Sequence, residues 1–140
     1  MNILIIGGGG REHALAWKAA QSPQVETVYV APGNAGTDLE PGIENVDIAA
    51  DDLDALVAFA GDNDIGLTIV GPEVPLVLGV VDRFRAAGLK CFGPTQAAAQ
   101  LEGSKTFTKD FLARHHIPTA AYRAFTDVGA AVAYIREQGT

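Results

Sequence analysis

The chain has 140 residues, of which 48% are hydrophobic and 19% charged, and a formal net charge of −7. That length matches one ordinary domain with a sizeable core, and the composition excludes a mainly disordered chain, which would be apolar-poor and strongly charged. The acidic balance argues against a whole-surface nucleic-acid binder, no apolar run approaches the ~20 residues of a membrane span, and Met1-Asn2-Ile3-Leu4 shows no basic secretory leader.

Asn2-Ile3-Leu4-Ile5-Ile6 is a continuous β-prone apolar run, the pattern of a strand covered on both faces in a parallel sheet. Gly7 to Gly10 break it, and Arg11 to Gln21 read as a helix that stops before Pro23. Thr27 to Ala31 predicts a second strand, Leu67 to Val70 another, Lys90-Cys91-Phe92 a short peripheral one, and Asn45 to Ile48 a weak extended piece. Between them, Leu53, Leu56, Val57 and Ala60 form an amphipathic helical stripe, capped by Asp51 or Asp52 and ended by Gly61. Val77, Val80, Val81 and Phe84 form a second stripe, closed by Gly88. The alternation predicts a doubly wound, Rossmann-like parallel α/β sheet with helices on both faces and right-handed crossovers.

Residues 103–140 read differently. Ser104 to His115 predicts a helix with Phe107, Phe111 and Leu112 on one side, ending near Pro118; Ala120 to Phe125 reads as extended; Asp127 caps a helix carrying Val128, Ala131, Val132 and Ile135. The charge changes at the same place. Residues 1–102 hold 5 Lys+Arg against 14 Asp+Glu, and residues 103–140 hold 5 against 3. Two segments are expected: 1–102 as an N-terminal domain and 103–140 as the truncated start of a second, whose helical stripes need a further surface to bury them.

In open α/β sheets, ligands bind at the carboxyl edge of the strands. Every predicted strand but the weak one leaves that edge through Gly or Pro: Gly7-Gly8-Gly9-Gly10, Pro32-Gly33-Asn34-Ala35-Gly36, Gly71-Pro72-Glu73 and Gly93-Pro94-Thr95. Glycines before a helix bring backbone N–H groups close to an anion, and the helix dipole adds partial positive charge. Arg11 and His13 in the first helical turn, where cations are ordinarily unfavourable, fit a bound phosphate; a tight turn with surface charges is the bland alternative. The loop is not a dinucleotide fingerprint. The third glycine position falls on Glu12 or His13, and Ala31-Pro32-Gly33 stands where a ribose-binding acid belongs, so a single sugar phosphate fits better than a nicotinamide dinucleotide. Glu73 is open to two readings, a grip on ribose hydroxyls or an amine, or a helix-start carboxylate facing the dipole.

Other chemistries find no support. Gly103-Ser104-Lys105-Thr106 lacks the P-loop spacing, neither serine sits in G-x-S-x-G, and the adjacent His115 and His116 cannot form an i, i+4 metal pair. Cys91, the only cysteine, excludes an internal disulfide and fits a reducing cytoplasm as a small core residue. Trp17 reads as core packing rather than a base-stacking platform.

The stretch Gly7-Gly8-Gly9-Gly10-Arg11-Glu12-His13-Ala14-Leu15-Ala16-Trp17 resembles the N-terminal signature of the glycinamide ribonucleotide synthetase (phosphoribosylamine–glycine ligase) family. Ala31 to Thr37 and Val70-Gly71-Pro72-Glu73 resemble its next two loops. Gly93-Pro94-Thr95, Ala99 to Lys105 and Phe107 to Phe111 resemble its opening into an ATP-grasp domain. The resemblance spans all 140 residues with the motifs in order.

It implies a pre-ATP-grasp domain at 1–102 and the beginning of an ATP-grasp domain at 103–140. The implied reaction is ATP-dependent ligation of glycine to 5-phosphoribosylamine through glycyl phosphate, a cytoplasmic step of purine synthesis, with Mg2+ or Mn2+ on the ATP phosphates. Carried over residue by residue, Gly8, Gly9, Gly10, Arg11, Glu12, His13, Asn34, Pro72 and Glu73 belong to the phosphoribosylamine side and Lys105 to the ATP phosphates. No metal ligand and no catalytic residue is assigned, no nucleic-acid or membrane partner is implied, and the 140 residues alone are expected to be inactive. The alternatives are a non-catalytic sugar-phosphate-binding module and a paralogous ATP-grasp ligase.

Overall fold

In the computed structural model, which describes residues 1–139, the chain forms two compact units, Met1–Gly103 and Ser104–Thr140. The first is built on five parallel strands: β1 (Asn2–Gly7), β2 (Val28–Pro32), β3 (Ile43–Asn45), β4 (Ile65–Val70) and β5 (Cys91–Phe92), in the order β3-β2-β1-β4-β5. The chain runs outward from β1 in one direction, returns across it, and runs outward through β4 and β5 in the other. The order therefore reverses between β1 and β4, which is where such sheets open a ligand crevice.

The alternation of side chains along β1 divides the core in two. Leu4 and Ile6 face one way and join Leu56 and Ala60 of α2 (Leu53–Asp62), Leu76 of α3 (Glu73–Val77), Val80, Val81 and Phe84 of α4 (Val80–Ala86) and Ala99 of α5 (Gln96–Gly103). Ile3 and Ile5 face the other way and pack with Val28, Val30, Ile43 and Ala16 of α1 (Gly10–Ala20). Helices thus cover both faces, and the parallel α/β class expected from the sequence is the one observed.

Several boundaries differ from the sequence reading, each for a local reason. Gly61 does not end α2. The helix runs to Asp62, Asn63 caps it by donating from its side chain to the Phe59 carbonyl (2.8 Å), and Asp64 makes the left-handed turn at φ 51°. The Val77–Phe84 stripe is two helices rather than one, because Gly79 adopts φ 91° between them. The weak strand is β3, earlier than Asn45–Ile48, since pairing of Val28 with Ile43 buries Ile43 on the α1 face. Helix α5 was not expected; only Ala99 is buried on it, so its apolar stripe is faint.

The second unit contains α6 (Lys105–Arg114) and α7 (Val128–Glu137), capped by the Ser104 hydroxyl and the Asp127 carboxylate as their sequences suggest. Ala120–Phe125 is not a strand. It is tied down instead by Lys109, whose Nζ donates to Thr119 Oγ1 (2.7 Å) and the Ala120 carbonyl (2.9 Å), and by Tyr122, which donates to Asp110. Arg123 stacks over Phe125 and Tyr134, 5.3 and 5.4 Å from the ring centroids. No described residue of this unit is buried. Among the described residues, no helix is long and apolar enough to cross a membrane.

Two buried side chains give direct tests. Thr68 lies in β4 with no exposure, and its hydroxyl has no hydrogen-bond partner. Thr68→Val therefore removes an unpaid desolvation cost and should stabilise the fold by about 1 kcal/mol in urea unfolding; a loss of stability would show that the hydroxyl is satisfied. Burial raises the Cys91 thiol from 9.0 to about 11, with Arg85 opposing the shift weakly. At pH 8 its thiolate fraction, and so its alkylation rate by iodoacetamide, should be ~100-fold below that of an unperturbed thiol, rising tenfold per pH unit up to about 11.

Candidate functional site

The loops that follow β1, β2 and β4 meet at the carboxyl edge of the sheet. Backbone bonds begin the assembly: Gly33 N–H donates to the Gly7 carbonyl (3.3 Å) and Gly71 N–H to the Ile6 carbonyl (3.0 Å). Asn34 then spans two loops. Its Nδ2 donates to the Gly8 carbonyl (3.0 Å), while its Oδ1 accepts from Gly36 N–H (2.7 Å) and Thr37 N–H (3.1 Å). The Asn34 side chain thus makes the turn of its own loop and fastens that loop to the glycine loop.

Thr37 and Asn45 support Asn34 from below. The buried Thr37 hydroxyl accepts from Asn34 N–H (2.8 Å) and donates to Asn45 Oδ1 (2.7 Å), and Asn45 Nδ2 donates to the Asn34 carbonyl (2.9 Å). Neither was singled out from the sequence. The spacing of Asn34 and Thr37 is a turn signature that could have flagged Thr37; Asn45 carries no local signal, because its partner is eleven residues away.

Glu12 sits beneath the glycine loop. It is 4% exposed; Oε2 accepts from Gly9 N–H (2.8 Å) and Oε1 from Arg11 Nε (2.7 Å). As the third residue of α1 reaching back to the residue that caps it, Glu12 supplies one half of a capping box. Its side chain also fills the space between two loops. A Cβ at Gly7 would come within 2.6 Å of Glu12 Cγ, and one at Gly71 would run into its carboxylate. Glycine is thus required at Gly71 by close approach, and Pro72 packs against Gly7 from the same side.

Arg11 is 61% exposed at its side chain, held at Nε by Glu12. That hydrogen bond raises the guanidinium above its already high range, with further support from the charges of Glu73 and Glu102. Glu73 opens α3 after Pro72, is exposed, and lies within electrostatic reach of Arg11. His13 faces the second loop: Nε2 lies 3.1 Å from Glu40 Oε1, and its ring abuts Gly36.

The structure therefore gathers Gly8, Gly9, Gly10, Arg11, Glu12, His13, Asn34, Pro72 and Glu73 on three neighbouring loops and the first turns of α1 and α3. Gly8 to Gly10 and Arg11 are exposed at the start of α1. Lys105 belongs to the second unit. It is exposed at the start of α6 and lines a cavity of about 200 Å³ with Thr106, Lys109, Tyr122 and Arg123. Trp17 departs from its expected place in the core. Ala16 beside it takes the buried position on α1, and the indole is 51% exposed.

Residues 1–102 match the family described as phosphoribosylglycinamide synthetase, N domain, and residues 103–140 match phosphoribosylglycinamide synthetase, ATP-grasp (A) domain. A phosphoribosylamine–glycine ligase of Yersinia pestis is 76% identical over 139 residues, 99% of this chain and 32% of the relative; one from Haemophilus influenzae is 72% identical over 140 residues, 100% of this chain and 33% of the relative. The chain thus spans about a third of the length of the curated relatives it matches. Among solved structures, the biotin carboxylase domain of a single-chain bacterial carboxylase superposes with a TM-score of 0.68 at 16% identity, covering 99% of this chain and 34% of that one. The biotin carboxylase subunit of a pyruvate carboxylase gives 0.61 at 14%, covering 99% and 33%. At such identities the likeness shows the fold. With a family match over 102 of 140 residues and relatives above 70% identity, the chain belongs to the phosphoribosylglycinamide synthetase family.

Proposed function

We propose that this chain supplies part of the phosphoribosylamine site of an ATP-dependent carbon–nitrogen ligase, which joins glycine to 5-phosphoribosylamine in the cytoplasm as a step of purine synthesis. The observation that carries the reading is the junction of three loops at the β1/β4 reversal, with the exposed residues Gly8 to Gly10 and Arg11 at the start of an eleven-residue helix. The match to relatives named phosphoribosylamine–glycine ligase supports the same reaction. The glycine loop suits a sugar phosphate better than a dinucleotide, because Glu12 fills the space where the fingerprint's packing glycine would stand.

In this reading the 5′-phosphate docks at Gly8, Gly9, Gly10 and Arg11, where the α1 dipole and a fixed guanidinium complement its charge. His13 borders that position, Asn34 holds the loop in register, and Pro72 aims Glu73 at the ribosylamine. The ligation runs in two steps. Glycine's carboxylate oxygen attacks the γ-phosphorus of ATP and releases ADP, giving glycyl phosphate. The ribosylamine nitrogen then attacks the acyl carbon, expels phosphate and loses a proton, leaving glycinamide ribonucleotide. Lys105, in its cation-rich cavity, fits the ATP phosphates. A divalent ion, Mg2+ or Mn2+, neutralises phosphate charge when bound. Among the described residues no group of three or more His, Cys, Asp or Glu is placed to hold one. The division of labour follows the two matched segments, 1–102 for the sugar phosphate and 103–140 for the nucleotide.

Three measurements test this assignment. In a polypeptide of the relatives' length carrying these residues, glycine-dependent ADP formation should require phosphoribosylamine. Arg11→Ala should raise KM for phosphoribosylamine about 10- to 100-fold, the loss of one charge-assisted hydrogen bond, with KM for ATP unchanged. An equal rise in both would place Arg11 in general folding rather than the phosphate site. Glu12→Gln should instead act without ligand. One of its two accepting oxygens becomes an N–H2 group, so unfolding free energy should fall by about 1–2 kcal/mol in the ligand-free protein. Unchanged stability with weakened substrate binding would make Glu12 a direct ligand.

A further inference from the structure

Trp17 is the only tryptophan, and neither the core nor the proposed reaction uses it. Its half-exposed indole lies between two cavities, one of about 340 Å³ reaching Gly10, His13 and Ala14, the other of about 210 Å³ reaching Ala20, Gln21 and Ile43. Glu40 lines both. A flat apolar ring bordered by open space is a stacking platform, and neither glycine nor ribosylamine has an aromatic ring to place on it. Glu40 selects what can lie there. Held by His13 at 3.1 Å, its side chain remains 32% exposed. An ionised carboxylate only accepts hydrogen bonds, so it favours a ring edge with adjacent N–H donors. Guanine has such an edge at N1–H and its 2-amino group, whereas adenine pairs its amino group with acceptors. The upper cavity also reaches Gly10 in the first turn of α1. From Gly10 to Trp17 the helix rises ~10 Å, comparable to the span from phosphate to base in a nucleoside 5′-phosphate.

We propose that the Trp17 cavities form a guanine-stacking site, and that guanosine 5′-phosphate binds with its base on Trp17 and Glu40 and its phosphate at the glycine loop. The phosphate half of this proposal rests on the reading of that loop as the sugar-phosphate site; the base half does not. The nucleotide then competes with phosphoribosylamine for the loop.

Trp17 itself reports the test. Excited at the red edge of indole absorption, its fluorescence should be quenched saturably by guanosine 5′-phosphate. Guanosine and adenosine 5′-phosphate should each bind about tenfold or more weakly, and ribose 5-phosphate should displace the nucleotide while causing no quenching of its own. By calorimetry, Trp17→Leu should lose about tenfold or more in guanosine 5′-phosphate affinity, the scale of one lost base stack, yet keep its affinity for ribose 5-phosphate. Trp17→Phe should restore binding, and Glu40→Gln should erase the preference for guanine over adenine. Absence of saturable quenching by both guanosine and its 5′-phosphate overturns the proposal, as does a folded Trp17→Leu that binds the nucleotide like the parent. Guanosine quenching as strongly as its 5′-phosphate keeps the base platform and overturns the phosphate half. Undiminished nucleotide quenching with no ribose 5-phosphate binding breaks the sugar-phosphate reading alone.

Discussion

A single carboxylate organises the carboxyl edge of this sheet. Glu12 lies under the glycine loop, accepts from Gly9 N–H and Arg11 Nε, and occupies the space that side chains at Gly7 or Gly71 would need. A buried carboxylate without partners would be costly, and two donors at hydrogen-bond distance offset that cost. The same bonds fix the start of α1, the direction of Arg11 and the approach of the β4–α3 loop. The loop's glycines are thus needed partly for the protein's own glutamate and only partly for a ligand. That also explains the failed fingerprint: where a dinucleotide-binding loop packs a third glycine, this one packs Glu12.

The sheet was legible because its signals are local. Asn2–Ile6 and Leu67–Val70 are short, largely apolar runs of the kind a doubly covered strand presents, and the helices that connect the strands carry stripes matching the faces they bury, as Leu56, Ala60 and Phe84 show. What misled were glycines. Gly61 looks like a helix stop and is not, while Gly79 interrupts a stripe that looks continuous. A glycine's role is set by the φ the tertiary structure demands: Gly79 takes φ 91°, whereas the turn after α2 falls to Asp64 at φ 51°. Composition does not contain that information.

The grouping of the candidate residues was legible, and their supporting contacts less so. Gly8, Arg11, Asn34 and Glu73 come together because they follow strands of one parallel sheet, a consequence of topology that the alternating pattern already implies. Asn45 could not be read, because its contact with Asn34 depends on β3 pairing beside β2. Trp17 was misread for a related reason. An aromatic on an amphipathic helix is ordinarily core, but α1 places the small Ala16 against the sheet and turns the indole outward.

The charge distribution then acquires a different meaning. The first 102 residues are strongly acidic, yet the exposed Gly8 to Gly10 and Arg11 lie at the N-terminus of α1, where the helix dipole adds partial positive charge. Glu12 is close by but compensated, since its negative charge is matched by Arg11 at 2.7 Å. An anion arriving at the loop therefore meets a glutamate–arginine pair whose guanidinium is the exposed partner, 61% against 5% for the carboxylate. Burying the acid and exposing the base leaves the guanidinium as the solvent-facing member of the pair, so the acidic count of the domain overstates the negative charge offered at the start of α1, even with Glu73 and Glu102 within electrostatic reach.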